Sequence, residues 1–526
     1  MRRGRRAWIL ACTALVCGIA AAPAHAAGGV YAVQANAAGT GGALVQYTVG
    51  AGGALTASLP DLALSAAPRD ITVTPDGHFA YVLTVAPDGS TAIAQFDRIT
   101  PAGRLLPNAQ ATTAATPGPA NAIIVNPQGT RVLYGQAGSI VARPIIADGS
   151  LGAPSATPIP SGATTADVQS LAMTADGRSL YASDTSSGAA RVWQFDVDPA
   201  SGAIAPKSTP VVGWPDTSTG GAGRMAITPS GSHLYLAADS AGFGIGRWAI
   251  DPATGALVGG SVEAPPSDRY AEGAVATSAP GDALWAPSSS SASTFPERIR
   301  QFAIGAAGVL TPLVPPAVNY VVAGPAHDLV LAPDGQTLYL GQDGTVGEWV
   351  VGPGGALSHR ANVPPGPAGG VQNAGIALSP SRAPVAAFSV SPAPAGQPTA
   401  FDASTSNDPD PDGAIARYDW NFGDGTVVLN GGPTPSHTYA TAGTRTATLV
   451  VTDADGTATA ALWTGTRMLR DGGPSAQTTR SFTIAAVDTS GGTPPRPHKG
   501  RSVTVAAERG TILVRVPGSR RYVPIG

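Results

Sequence analysis

The sequence predicts an all-β protein in which seven repeated β units close into a propeller and a small β-sandwich follows. Three observations carry this prediction. Glycine (67 residues) and proline (49 residues), which break helices and permit turns, are abundant in the 526-residue chain. A strand–turn–strand motif recurs about every 50 residues as far as Ser379, and a second pattern of short strands begins after Arg382.

The first half of each repeat is clearest at Ile71–Tyr81, where an apolar strand, a Pro-Asp-Gly turn and a strand carrying an aromatic residue follow one another. The turn position recurs at intervals of 47 to 54 residues, and repetition at such a period is typical of radial β repeats. The seven turn positions are Pro75, Pro127, Ala175, Pro229, Ala279, Pro333 and Pro380.

The second half of each repeat is a polar-aromatic strand, a glycine turn and a short apolar strand. Trp193–Phe195 illustrates the polar-aromatic strand, and Asp251–Leu257 illustrates the turn that leads into the last strand. This pattern predicts a hairpin, so one unit holds four strands, as a propeller blade does.

The order of the half-repeats predicts how the ring closes. The earliest copy of the second half-repeat, at Val45, precedes every copy of the first half-repeat. The final copy of the first strand, at Ile376, is not followed by the other strands of a repeat. We expect the two fragments to pair and complete a seventh blade, which removes the open sheet edges of a linear array.

Residues 28–382 resemble the seven-bladed lactonase-like propellers of the 6-phosphogluconolactonase type and the related surface-layer propellers with Y-V-T-N repeats. The resemblance depends on T-P-D-G-x-x-x-Y, as at Thr74–Tyr81, and on D-P-x-x-G-x-L, as at Asp251–Leu257. These residues set turns and pack between blades, so they indicate a fold and not an activity.

Three candidate catalytic residues follow from that resemblance. Lactonases of this kind carry P-R-H before the P-D-G strand and an acid after the following Y-V. Here the arginine is present at Arg69, the histidine at His327 and a glutamate at Glu272, each on a different blade. They converge at one mouth of the channel if they are catalytic; otherwise they are solvated loop residues.

Residues 383–487 resemble a PKD domain, an immunoglobulin-like module. The motifs are W-x-F-G-D-G at Trp420–Gly425 and H-T-Y at His437–Tyr439, within alternating strands. Trp420 and Phe422 are two residues apart and should share the core face. The stretch from Ala461 to Ser481 is predicted to be a long hairpin before a closing strand at Arg480–Ala485.

An acidic run in this domain allows a calcium hypothesis. Asp408, Asp410 and Asp412 alternate with other residues and could supply the oxygen ligands that Ca²⁺ prefers. Aspartates that form turns explain the same pattern, and an Asp-rich stretch is usual in the family. No other cofactor is expected.

The N-terminal segment predicts export. Residues 1–26 have arginines, an apolar run and Ala24-His25-Ala26, as in a signal peptide cleaved near Ala26 by the general or the twin-arginine route. We therefore expect a secreted, extracellular or cell-envelope protein. Cys12 and Cys17 lie in this segment, so the mature chain should lack cysteine chemistry.

Residues 488–526 are predicted to form a flexible, basic linker and a short β tail. Three interpretations of this tail stay open: a docked hairpin, the start of a further module, or a cell-wall contact.

These features lead to three functional hypotheses. The preferred one is a non-enzymatic, monomeric extracellular binding protein for protein or polysaccharide; the others are a lactonase-like hydrolase acting at the propeller mouth and a structural cell-envelope component. Nucleic acid is not expected as a partner, because the formal net charge is −3 and no basic face is visible. No stretch beyond the signal is long and apolar enough to span a membrane.

Overall fold

The computed structural model describes most of the chain after the predicted signal peptide. The described residues are 28–57, 59–99, 103–109, 116–136, 138–160, 168–184, 190–215, 221–238, 244–263, 270–290, 297–320, 326–364, 372–410, 413–487, 505–508, 511–515 and 522–525. Within them there are 43 β-strands and three short 3-10 turns (Ala51–Gly53, Pro353–Gly355 and Pro474–Ala476), and no α-helix. A search of these residues finds no helix suited to crossing a membrane. The predicted signal peptide lies outside them.

The first 30 strands belong to the propeller. They are β1 Gly29–Ala35, β2 Gly42–Val49, β3 Leu55–Thr56, β4 Leu62–Leu64, β5 Ala67–Val73, β6 Phe79–Val85, β7 Thr91–Ile99, β8 Arg104–Pro107, β9 Ile123–Val125, β10 Arg131–Gln136, β11 Ser139–Pro144, β12 Ser155–Pro158, β13 Val168–Met173, β14 Ser179–Asp184, β15 Arg191–Val197, β16 Ile204–Gly213, β17 Ala222–Ile227, β18 His233–Ala238, β19 Ile245–Ile250, β20 Leu257–Glu263, β21 Tyr270–Glu272, β22 Ala276–Thr277, β23 Ala283–Ser290, β24 Arg298–Ile304, β25 Leu310–Asn319, β26 Ala326–Leu331, β27 Thr337–Gln342, β28 Thr345–Val351, β29 Leu357–Val363 and β30 Gln372–Leu378.

In the described part of the chain these strands form seven antiparallel sheets, which we number as blades. Blades 1 to 4 are β5–β8, β9–β12, β13–β16 and β17–β20; blade 5 is β21–β25, blade 6 is β26–β29, and blade 7 joins β30 to β1–β4. The innermost strands β5, β9, β13, β17, β22, β26 and β30 contact one another in sequence around the ring and line a central channel. The predicted seven-bladed propeller is therefore confirmed.

Blade 7 closes the ring as the half-repeats predict. Strand β1 pairs antiparallel with β30, so that Val30 faces Leu378 and Ala32 faces Ile376. The two strands are joined by backbone hydrogen bonds although they come from opposite ends of the propeller. Neither is left with an open edge on this side.

The repeated turn joins the first and second strands of a blade. In blade 1 the Asp76 carboxylate accepts bonds from the Thr74 hydroxyl (2.5 Å) and the His78 amide (3.0 Å). Gly77 then adopts a φ of +70°, which favours glycine over residues with a Cβ. Because every innermost strand runs in the same direction, these turns share one face of the propeller, which we call the turn face.

The repeated aromatic residue holds neighbouring blades together. The hydroxyls of Tyr81 and Tyr181 donate to the carbonyls of Gly149 (2.9 Å) and Gly255 (2.7 Å) in the next blade. The polar residue of the second half does the same, as where the Gln194 side chain accepts the Leu257 amide at 2.6 Å. Both motifs therefore stabilise the seams between blades, as their interpretation as structural residues implies.

The next ten strands belong to the sandwich region. They are β31 Ser381–Arg382, β32 Ser389–Ser391, β33 Pro398–Asp402, β34 Ile415–Asn421, β35 Val427–Val428, β36 Ser436–Thr438, β37 Gly443–Asp453, β38 Leu462–Trp463, β39 Met468–Asp471 and β40 Gln477–Ile484. The sheet orders are β32-β33-β36, β35-β34-β37-β40 and β31-β39-β38. Trp420 and Phe422 are at most 1% exposed with rings stacked 6.0 Å apart, so the prediction that they share the core face is confirmed.

The last three strands form a separate antiparallel sheet in the tail. They are β41 Val505–Glu508, β42 Thr511–Arg515 and β43 Tyr522–Ile525, in the order β41-β42-β43. The sheet does not distinguish among the three interpretations of the tail, which remain predictions, as do the domain boundaries.

Candidate functional site

A hairpin of the sandwich region enters the propeller channel from the turn face. Its strands are β38 and β39, and its tip is Thr464–Arg467. A hairpin was predicted here, but it is shorter than expected, and the closing strand β40 begins at Gln477 rather than at Arg480. Its insertion into the channel was not predicted.

Backbone hydrogen bonds join the hairpin to the ends of two innermost strands. The Met173 amide donates to the Gly465 carbonyl (2.7 Å), and the Ile227 amide donates to the Thr464 carbonyl (2.9 Å). The Trp463 indole donates to the Met173 carbonyl at 2.6 Å. The hairpin thus satisfies channel-facing backbone groups that the sheets leave unpaired.

The apolar residues of the hairpin extend the cores of the blades. Trp463 and Met468 (4% and 6% exposed) pack in one cluster with Leu171 and Ile124, whereas Leu469 (1% exposed) joins a second cluster that includes Trp349. Gly465 has a φ of +92°, and a Cβ there would lie 2.8 Å from the Ile227 side chain. The tip therefore requires glycine at this position.

Two guanidinium groups, one of them from the hairpin tip, bind carboxylates in the channel. Arg224 reaches from blade 4 across to blade 1, where it binds the Asp70 carboxylate at 2.9 Å, and to blade 7, where it binds the Ala374 carbonyl at 3.1 Å. Arg467 of the hairpin binds the Asp328 carboxylate (3.1 Å) and the Ile376 carbonyl (2.9 Å). Asp328 also lies 3.7 Å from Arg224. We call these four charged residues the channel cluster.

Both carboxylates of the channel cluster also brace the blades. The two oxygens of Asp70 accept the Ile71 amide (2.9 Å) and the Ile123 amide of blade 2 (3.1 Å). Asp328 accepts the amides of Leu329 (2.9 Å) and of Ile376 in blade 7 (3.3 Å). Every carboxylate oxygen of the cluster therefore has a partner.

The pKa values in the cluster follow the number of cations around each acid. Burial raises the pKa of Asp70, and Arg224 offsets this only in part. Burial also acts against ionisation of Asp328, but Arg224 and Arg467 together lower its pKa below the usual value. The pKa of Arg224 is raised: burial acts against the charge, but the two aspartates outweigh it. The Arg224 guanidinium therefore stays charged.

The hairpin leaves little free space in the channel. The remaining cavity beside Arg224 and Arg467 measures about 40 Å³, enough for roughly three or four waters at ~10–15 Å³ each. Small-ligand sites usually measure ~300–1,000 Å³. The cavity does not hold a sugar-sized molecule while the hairpin is in place.

The residues proposed from the resemblance lie elsewhere. Arg69 is exposed, and its guanidinium makes no hydrogen bond or ion pair with the described residues. His327 is half-exposed and binds Asp343 (Nε2–Oδ1 3.0 Å). The side chain of Glu272 lies outside the described residues.

Beta-bulges explain why the adjacent residues face the channel instead. The register shifts between Pro68 and Asp70 in β5 and between Ala326 and Asp328 in β26, so that Arg69 and His327 occupy the bulges. A bulge displaces a side chain by one position, which sequence alternation cannot reveal. The sequence feature that could have identified the channel-facing residues is an aspartate directly before the apolar strand in both blades.

The calcium candidates lie where the propeller meets the sandwich. The Asp410 carboxylate binds the amide and Nε of Arg382, both at 2.7 Å. Asp408 accepts the Asp410 amide at 2.9 Å; burial, with Asp453 and Asp410 nearby, raises its pKa to about 7. Asp412 lies outside the described residues. Among those described, no three acidic, histidine or cysteine side chains are arranged to hold a metal.

This junction contains further acids. Burial, together with Asp453, Asp334, Asp410 and Asp408, raises the pKa of Asp455 to about 8. Burial and the neighbouring Asp76 of blade 1 raise the pKa of Asp471 to about 6. Docking of the sandwich therefore places several carboxyl groups where their ionisation is unfavourable.

Comparisons with known proteins agree with this architecture. A PKD domain model matches residues 381–465. A putative 6-phosphogluconolactonase from Bacteroides fragilis matches with a TM-score of 0.52 and 16% identity, over 68% of this chain and 99% of that one. The periplasmic gluconolactonase of Pseudomonas aeruginosa matches with a TM-score of 0.53 and 17% identity, over 67% and 98%.

At these identities the structural matches show the fold alone. No curated protein matches the chain in sequence. This chain therefore consists of a lactonase-like seven-bladed β-propeller, shown by the seven sheets, the closure of blade 7 and the structural matches, and a PKD domain, shown by the family match.

Proposed function

We propose that this protein is a secreted, non-enzymatic extracellular binding protein for a protein or polysaccharide ligand. The observation that carries the proposal is the closed channel: the PKD hairpin fills it from the turn face and leaves a cavity of about 40 Å³. The propeller and PKD domain then act as one rigid support whose outer surfaces are available for binding.

The chemistry of the channel cluster supports binding over hydrolysis. Hydrolysis of a lactone needs a base to activate water and room for the substrate beside it. Asp70 and Asp328 are the buried carboxylates there, and both are engaged by guanidinium and backbone donors. Every oxygen of both carboxylates therefore already accepts at least one hydrogen bond.

Opening the channel has a substantial energetic cost. Withdrawal of the hairpin exposes Trp463, Met468 and Leu469, which are now at most 6% exposed. At ~1.5–3 kcal/mol for each large apolar side chain, the loss is about 5–9 kcal/mol. This burial opposes withdrawal of the hairpin.

A lactone hydrolase is the second candidate, and the His327–Asp343 pair is the observation that favours it. The imidazole and carboxylate lie 3.0 Å apart on the side opposite the turn face. An aspartate that orients a histidine is a recurring arrangement for a general base. The proteins of similar fold include a periplasmic gluconolactonase and a putative 6-phosphogluconolactonase.

A hydrolysis assay on residues 27–526 distinguishes these functions. Glucono-lactone and 6-phosphoglucono-lactone are the substrates, His327→Ala is the test variant, and His359→Ala, at the outer strand of blade 6, is the matched control. We expect no turnover above the buffer rate. Turnover that is lost in His327→Ala and retained in His359→Ala would refute the proposal.

The cell-envelope hypothesis is tested by fractionation of the producing cells. A binding protein should appear in the medium or be released by mild washing. Recovery only with the cell-wall fraction, in a form that detergent and salt do not release, would favour a structural component.

A further inference from the structure

A polar groove of about 780 Å³ opens at the turn face between blades 3 and 4. Its volume is within the ~300–1,000 Å³ of small-ligand sites, in contrast to the channel cavity. Its walls carry carboxylates, cations and hydroxyls and no aromatic ring. The residues that argue for a ligand are Asp176, Arg178, Asp196, Lys207, Thr209 and Asp251.

At one repeated position this seam carries a small residue, whereas the seam between blades 1 and 2 carries a large one. In the seam between blades 1 and 2, the Phe79 ring packs so closely on Gly149 that a Cβ there would lie 2.3 Å from it. In the seam between blades 3 and 4, Ser179 takes the place of Phe79. Each stands two residues before the tyrosine whose hydroxyl binds the next blade.

A second exchange places an ammonium group in the wall of the groove. In the seam of blades 1 and 2, the Asn108 amide donates to the Asp97 carboxylate and the Asp148 carbonyl, both at 2.7 Å. In the seam of blades 3 and 4, Lys207 takes the place of Asn108. Its ammonium donates to the Asp196 carboxylate and, at 2.6 Å, to the Thr254 carbonyl.

Lys207 and Asp196 together present a donor and an acceptor to the groove. The Lys207 side chain is 5% exposed, while that of Asp196 is 63% exposed. Two of the three ammonium N–H groups have partners among the described residues, so one remains for a ligand. Lys207 is one of two lysines in the sequence, which otherwise uses arginine for its basic residues.

The charge balance of the walls argues against an anionic ligand. Three carboxylates (Asp176, Asp196, Asp251) face two cations (Arg178 and Lys207), so an anionic ligand gains no net attraction. Hydroxyl groups can donate to Asp196 and accept from Lys207 at the same time. We propose that this groove binds a neutral, hydroxyl-rich glycan, an inference that rests on the proposed binding function and names its ligand class.

Affinity measurements on residues 27–526 test the inference. The probes are dextran, laminarin and galactomannan as neutral glycans, and polygalacturonate as an anionic one, in affinity electrophoresis followed by calorimetry. Ser179→Phe fills the groove as Phe79 fills the equivalent seam, and Asp196→Asn removes the exposed acceptor. Asp97→Asn is the matched control in the filled seam.

We expect at least one neutral glycan to bind, with affinity at least tenfold weaker in Ser179→Phe and Asp196→Asn and unchanged in Asp97→Asn. A thermal melt checks that each variant is folded; if Ser179→Phe is not, Asp196→Asn decides alone. Glycan binding that survives in the folded groove variants would overturn this inference and leave the proposed function intact. Binding of polygalacturonate alone, or no glycan binding, would also overturn it, whereas the proposed function fails only with His327-dependent turnover.

Discussion

Replacement of Trp463 by alanine tests the docking of the hairpin. Trp463 is 4% exposed, and its indole donates to the Met173 carbonyl at 2.6 Å. A buried Trp→Ala change typically costs about 3–5 kcal/mol. If the hairpin undocks without unfolding the domains, the undocked population rises by roughly two to four orders of magnitude.

Trypsin reports this population directly, because it cleaves after arginine. The Arg467 side chain is 19% exposed and bound in the channel, so the bond after it is protected while the hairpin is docked. We expect slow cleavage there in the native protein and much faster cleavage in Trp463→Ala, because cleavage tracks the open population when reclosing is fast.

Two controls separate undocking from general loss of structure. Val427→Ala removes an apolar side chain that is 57% exposed on β35 of the same domain and should leave the cleavage rate unchanged. The bond after Arg191, whose side chain binds Asp184 in blade 3, should stay protected in all variants. Rapid cleavage after Arg467 in the native protein, or equal rates in native and Trp463→Ala, would refute the docked hairpin.

Three further predictions concern the same interface. Gly465→Ala should lower the thermal midpoint and speed cleavage after Arg467, because its φ of +92° and the Ile227 side chain exclude a Cβ. The expected loss of stability is about 1–3 kcal/mol. Gly425→Ala, at an open turn with a similar positive φ, is the control for the effect of φ alone. Asp328→Asn should destabilise the protein by about 3–5 kcal/mol in chemical denaturation, since it leaves two buried guanidiniums short of a carboxylate; a change below 1 kcal/mol would contradict the channel cluster. Docking should weaken as pH rises from the ordinary aspartate pKa of 3.8 to about 8. The pKa of Asp455 is raised to about 8, so its contribution to stability is complete below 3.8, falls as pH rises and is lost at about 8. Asp408, whose pKa is also raised, acts in the same direction, and Asp455 is faced by the acids Asp453, Asp334 and Asp410 and by the cation Arg470. Asp455→Asn should flatten the pH dependence of cleavage after Arg467. An unchanged pH profile would count against this explanation.

The sequence was sufficient for the propeller and for the core of the PKD domain. The turn motif, the seam tyrosines and the strand at Ile376 each obey a local pattern that repeats, so the number of blades and the pairing of β1 with β30 could be predicted. Trp420 and Phe422 follow the two-residue period of a strand.

The site could be predicted only in part, for two physical reasons. The hairpin docks largely through backbone carbonyls, and Trp463 meets Met173 across 290 residues, so neither partner is marked by its own sequence context. The bulges in β5 and β26 shift the side chains by one position, which exchanges Arg69 for Asp70 and His327 for Asp328 at the channel.

The groove required the structure for a different reason. Ser179 looks unremarkable in its repeat, and it becomes informative only beside Phe79, its equivalent in blade 1. The exchange of Asn108 for Lys207 has meaning only once each is seen to bridge its own blade to the next one.

Hydrogen exchange at the amides of Met173 and Ile227 tests the closed channel most directly. Both amides point into the channel and donate to carbonyls of the hairpin tip, those of Gly465 and Thr464. We predict slow exchange at both amides in the intact protein and fast exchange when residues 462–471 are replaced by a Gly-Ser linker, with the amide of Ala172, which faces Tyr181 of β14, as an internal reference. Fast exchange at Met173 and Ile227 in the intact protein would show that the channel is open and would contradict the account.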